Sequence, residues 1–176
     1  MKKTARGFTL VELLVVIAII AVLAAVVVII INPLELTRRS RDARRLIDLA
    51  NIKQAIDVAV QEATDSGVAV LCNGGSYPCN GSSHNGTRLV DGSGWVKINI
   101  GGVKGVTMPT LAADPINDST FHYTYCADKD VWEINTKLES DQQKSQMEND
   151  GGNDTSVYEM GSSLSIIAPS GGSCTY

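Results

Sequence analysis

From Leu13 to Ile31 the chain runs for nineteen consecutive apolar residues without a charge, a glycine or a proline. Wound as an α-helix at about 1.5 Å per residue, residues 8–31 reach about 36 Å, enough to cross a hydrocarbon core of about 30 Å. A secretory signal has a shorter apolar region that ends in an A-x-A-like cleavage site. No such site occurs within this run, which therefore reads as an anchor that is retained. Glu12 stands out at its start. A carboxylate costs about 2.5–3.5 kcal/mol at a bilayer centre and less near the interface, so it calls for a partner, a function or a place at headgroup depth. A helix N-terminus also favours negative charge in its first turn.

The remainder divides sharply. Five arginines lie within residues 38–45, and from residue 65 onward six basic residues face thirteen acidic ones, a net charge of −7. An acidic head is a poor electrostatic match for a phosphate backbone, so no nucleic-acid binding by the head is expected. The length of 176 residues suits one modest domain plus an anchor. Asn32-Pro33 ends the apolar run, and a helix break is expected there because proline lacks a donor and disfavours helix in the residue before it. Beyond it, Ala43, Leu46, Leu49, Ile52, Ile56, Ala59 and Ala63 recur at spacings of three and four, the apolar face of an amphipathic helix over 32–64, with Gly67 closing the helical region. The arginines read as a solvated face of that helix with Asp42 and Asp48 as local partners.

The head, 65–176, reads as β-rich. Val68–Leu71 and Trp95–Ile100 are strand candidates, and Thr120–Cys126 and Val131–Leu138 form a hairpin through Ala127–Asp130. Phe121, Tyr123 and Tyr125 line one face of its first strand, and Trp132, Ile134 and Leu138 share a face of its second; such stripes at period two are core. Ser140-Asp-Gln-Gln143 has the pattern of a capping box opening a short helix to Glu148. Cys72, Cys79, Cys126 and Cys174 all follow the anchor, which suggests two disulfides in an oxidising compartment. Cys72–Cys79 with Cys126–Cys174 is the simplest of three pairings. The cysteine spacings lack the paired knuckle of a zinc site. No catalytic triad, phosphate loop or metalloprotease motif is present, and His84 and His122 read as structural, so no enzyme is expected. Asn80, Asn85, Asn117 and Asn153 each begin an N-x-S/T sequon.

Arg6-Gly7-Phe8-Thr9-Leu10-Val11-Glu12-Leu13, followed by the apolar run, closely resembles the class III leader and N-terminal helix of type IV pilins and type II secretion pseudopilins. The resemblance covers residues 1–60 well and the head only loosely. It implies a leader over 1–7, cleavage between Gly7 and Phe8 by a membrane-embedded prepilin peptidase, and methylation of the new Phe8 amine. It implies an assembly helix over 8–31, with Glu12 pairing with the N-terminal ammonium of a neighbouring subunit in a homopolymer. An assembly platform and ATPase are the further partners it implies. The product would be a single-pass precursor in the cytoplasmic membrane and then a filament on the cell surface. The segment around Asp114-Pro115 resembles the Asp-Pro stretch of major pseudopilins, where calcium is common. With Asp118, Asp128 and Asp130 it supplies weak calcium candidates that lack the spacing of a dedicated loop. Counting positive charge alone, the arginines after the anchor outnumber Lys2, Lys3 and Arg6 before it and favour a cytoplasmic C-terminus. The cysteines and the resemblance point the other way.

The expected protein is therefore α+β, a long N-terminal helix whose second half packs on an antiparallel sheet. Its expected function is a pilus subunit. A secretion pseudopilin and a membrane-tethered binding domain that never polymerises are the alternatives.

Overall fold

A computed structural model describes residues 7–63, 70–73, 76–169 and 174–175. The chain divides into two compact units after Thr37. Helix α1 covers Leu10–Ile31 and helix α2 covers Pro33–Glu62. Between them Asn32 adopts the left-handed conformation at φ 43°, so that it ends α1 as a C-cap. Its side-chain oxygen also accepts from the Glu35 N–H at 3.4 Å, and Pro33 occupies the first position of α2, where its missing donor costs nothing. One asparagine therefore closes one helix and opens the next.

The second unit, from Arg38, is built on a four-stranded antiparallel sheet in the order β1–β2–β3–β4. The strands are β1 Cys79–Ser82, β2 Tyr123–Asp128, β3 Val131–Thr136 and β4 Tyr158–Gly161. A 3-10 turn at Ile100–Gly102 and helix α3 at Lys144–Asn149 complete the elements. Leu49, Ile52, Ile56 and Ala59 of α2 share one core with Leu71, Trp95, Ile98, Ile100, Leu111 and the sheet residues Tyr123, Tyr125, Trp132 and Ile134. This is the α+β layout expected, with the central hairpin in register from Asp128↔Val131 to Tyr123↔Thr136. Two polar tips inside the core are satisfied: Tyr125 OH donates to Leu71 O at 2.7 Å and Trp95 Nε1 to Ala112 O at 2.9 Å. Strand β1 needs Gly81, because a Cβ there would lie 2.0 Å from the Trp95 carbonyl oxygen.

Several local expectations are corrected. Trp95–Ile100 forms no strand; its residues reach the core through a loop with an isolated bridge at Asp91↔Asn99. Val70 and Leu71 are helical rather than extended, and Val68, Gly67 and Thr64 lie outside the described residues. Strand β1 arises in a glycine-rich segment without apolar alternation, where pairing with β2 decides the conformation, and β4 alternates only over the short run Tyr158-Glu159-Met160-Gly161, which pairs with β3. Ser140 is not a helix cap. It is buried, its N–H donates to Asp42 Oδ2 at 2.7 Å, and α3 starts later without a side-chain cap. On α2, Ala43 is exposed, and the buried stripe continues from Leu49 through Arg45 and Asp42 instead.

The opposite face of the sheet is covered by the chain beyond β4. Ile166 and Ile167 donate their N–H groups to Glu133 Oε2, each at 3.0 Å, and Cys174 is bonded to Cys126. A second disulfide joins Cys72 to Cys79. Glu133 on β3 and Glu159 on β4 lie on this same face, two register positions apart, and both are buried with an Oε1 that has no partner among the described residues. Desolvation, with the Glu159 carboxyl beside it, pushes Glu133 up to about 8; desolvation raises Glu159 as well.

Candidate processing and assembly segment

Helix α1 is apolar all round, and its described large side chains from Phe8 to Ile31 are 46–82 % exposed. A helix of that kind belongs in lipid or in the interior of an assembly. Leu10–Val28 has a mean hydropathy of 3.2 and is long and apolar enough to cross a membrane.

The first turn holds the charged feature. Thr9 is the N-cap, and its hydroxyl accepts from the Glu12 N–H at 3.2 Å. Glu12 Oε2 in return accepts from the Thr9 N–H at 2.8 Å and from the Thr9 hydroxyl at 2.7 Å. This is a complete capping box, whose pattern stands in the sequence as Thr9-Leu-Val-Glu12. Both Thr9 donors fall on Oε2, and Oε1 has no partner among the described residues. A Cβ at Gly7 would meet nothing within 4 Å among the described residues, so none of them demands glycine there. Phe8 is 82 % exposed, and Arg6 lies outside the described residues.

A second charged site, inside the head, was missed. Arg45 is fully buried on α2 and collects three carboxylates. Its Nε and Nη2 donate to Asp114 Oδ2 and Oδ1 at 2.5 and 2.9 Å, and Nη1 donates to Asp42 Oδ1 at 2.9 Å and to Glu139 Oε1 at 2.5 Å. Arg41 holds the same Glu139 from outside, at 2.7 and 2.5 Å. The Arg45 guanidinium also lies 5.0 Å over the Phe121 ring. Desolvation alone would lower Arg45, but its hydrogen bonds to Asp114 and Glu139 outweigh it and hold the cation firmly. The Arg41 hydrogen bond, with those from Arg45, keeps Glu139 below the usual carboxylate range. The arginine cluster is thus split. Arg44 remains 65 % exposed beside Asp48 as expected of a solvated face, whereas Arg45 clamps the helix to the head.

The four calcium candidates do not converge. Asp114 is committed to Arg45 and to the Ile116 and Asn117 N–H groups, and Asp118 caps Thr120 and Phe121. Asp128 and Asp130 flank the β2–β3 turn. Among the described residues no group of three or more His, Cys, Asp or Glu side chains is arranged to hold a metal.

The prokaryotic N-terminal methylation motif matches residues 2–28, the span that holds Gly7, Phe8, Glu12 and most of α1. No curated protein and no solved structure matches the chain. The matched span thus takes in a basic start, a capped acidic first turn and a bare apolar helix. The motif match, on this α+β layout, supports a type IV pilin-like protein, a class that takes in both pilins and pseudopilins.

Proposed function

We propose that the chain is a structural subunit of a type IV pilus-like filament, polymerising through its N-terminal helix after removal of the leader between Gly7 and Phe8. The observation that carries this is Glu12, the sole charge on an exposed apolar helix, with one carboxylate oxygen left unused by its own capping box. Cleavage turns the Phe8 nitrogen from an amide into an ammonium, which methylation leaves cationic. Helices in lipid gain little from hydrophobic association, because the tails are already apolar. An ion pair in low dielectric depends steeply on distance, so Glu12 of one subunit and the Phe8 ammonium of the next select one axial register. The open space at Gly7 supports a glycine required by a peptidase approaching the backbone rather than by the fold. Prepilin peptidase, an assembly platform and its ATPase are the partners on this reading. The precursor spans the cytoplasmic membrane and the filament is extracellular, where both disulfides are stable.

The capping box offers Glu12 a role confined to its own helix, and two substitutions separate the roles. Glu12→Gln keeps a capping side chain at that position and removes the charge; Thr9→Val removes the cap hydroxyl and keeps the charge. In sheared-filament fractions, Glu12→Gln should insert in the membrane but incorporate at least about tenfold less than wild type. Thr9→Val should incorporate nearly normally, with mass spectrometry placing its N-terminus at methylated Phe8. Normal filaments from Glu12→Gln, or a mature chain that retains Met1–Gly7, would overturn the proposal.

A further inference from the structure

On the sheet face opposite the core, at the end of the central hairpin, lies a recess of about 260 Å³ lined mostly by polar residues. Ser119, Thr120, His122, Thr124, Asn135 and Lys137 line it, with Val157 as its one apolar wall and Ser156 at its rim. The strand register explains the convergence. Thr124 pairs with Asn135, and His122 and Lys137 continue the two strands by two residues on the same face. A rigid hairpin therefore presents the group.

Three features distinguish this recess from an ordinary polar surface. Asn135 is 4 % exposed and its carboxamide makes no hydrogen bond among the described residues, which leaves it open to a partner from the recess. Lys137 forms no ion pair among the described residues, on a head with an excess of acidic side chains. No carboxylate lines the recess. Asp118 is turned to the Thr120 and Phe121 N–H groups, and Asp154 Oδ1 accepts from the Ser156 N–H and hydroxyl. His122 is oriented as well. Its Nδ1 lies 3.1 Å from the Asp118 carbonyl oxygen, which can only accept, so the neutral ring keeps Nε2 as an acceptor.

We infer that this recess is a binding site for a carboxylate-bearing sugar, with Lys137 meeting the carboxylate and Asn135, Thr124 and His122 meeting ring hydroxyls. Lys137 selects for negative charge. Hydroxyls and a carboxamide both donate and accept, and the imidazole Nε2 accepts, which suits sugar hydroxyls better than a bare oxyanion, an acceptor only. The volume falls below the roughly 300–1,000 Å³ of pockets for drug-sized ligands, so it takes one ring. The site belongs to the head and stands independently of polymerisation.

The test uses the full chain in detergent micelles and ligand-observed saturation-transfer NMR with glucuronate, glucose and inorganic phosphate as probes. Glucuronate should show transfer, and glucose should show little. In Lys137→Ala, glucuronate should bind about tenfold or more weakly, the loss of one charge-assisted hydrogen bond. Lys137 is exposed, so this variant should melt as wild type does. Asn135→Ala should weaken glucuronate too, with its melting curve as the check on folding. Absence of transfer to glucuronate, or equal transfer in Lys137→Ala, would overturn the site. Displacement of glucuronate by equimolar phosphate would overturn the sugar assignment.

Discussion

Replacing Arg45 by methionine tests whether the buried cation is what fastens α2 to the head. Methionine fills much of the same volume but leaves Asp42, Asp114 and Glu139 facing one another with side-chain exposures of 0 %, 0 % and 8 %. Removing one partner of a buried ionic set costs about 3–5 kcal/mol, because the remaining charges are stranded without solvent. Arg41 still neutralises Glu139 in part, so the lower half of that range is expected, about 3–4 kcal/mol. For a unit of this size that lowers Tm by about 10–15 °C. The assay is thermal unfolding of the full chain in micelles by near-ultraviolet circular dichroism, which reports Trp95 and Trp132, both buried in the head. The second variant, Arg45→Met with Asp114→Asn, should recover part of the loss. Asparagine removes one stranded charge and can still accept from Ile116 and Asn117. The deficit of Arg45→Met should also shrink toward acid pH. In the wild type the lowered Glu139 contributes stability above its unfolded value of 4.5 and loses it as pH falls through its folded value. An Arg45→Met protein that melts within about 2 °C of wild type, or a double variant no better than the single, would refute the clamp.

Two further outcomes concern the far side of the sheet. Because Glu133 is raised from 4.5 to about 8, the folded chain holds a proton that the unfolded chain releases, and its contribution should decline as pH rises from about 4.5 to 8. Glu133→Gln keeps an acceptor for Ile166 and Ile167 and should flatten that part of the Tm profile; identical slopes in variant and wild type would refute the assignment. Replacing Cys126 and Cys174 together by serine opens a loop of sequence separation 48 and should cost about 4 kcal/mol, with early proteolysis of the C-terminal segment as the readout. Unchanged stability and protease resistance would show that Ile166 and Ile167 hold the segment without the bond.

The long apolar helix, the acidic first turn and the break at Asn32-Pro33 were legible in the residues because each is a local matter. Length of an apolar run, a capping pattern and a missing backbone donor need no distant partner to act. The central hairpin was legible for the same reason, since Tyr123 and Tyr125 alternate on one strand, Trp132 and Ile134 on the other, and a short connection joins them. Tertiary structure decided the rest. Strand β1 has no apolar pattern and β4 only a two-residue one, Tyr158 and Met160, so both depend on the edges that β2 and β3 offer them. Asp42 and Arg45 follow the spacing of Leu49, Ile52 and Ile56, yet their charge argued for solvent. Only the arrival of Asp114 and Glu139, far along the chain, makes it cheaper to bury that arginine than to leave it in water. Glu133 and Glu159 likewise become one group through strand register alone. Burial of an apolar residue can be read from its own chemistry; burial of a charge depends on partners that only the fold supplies.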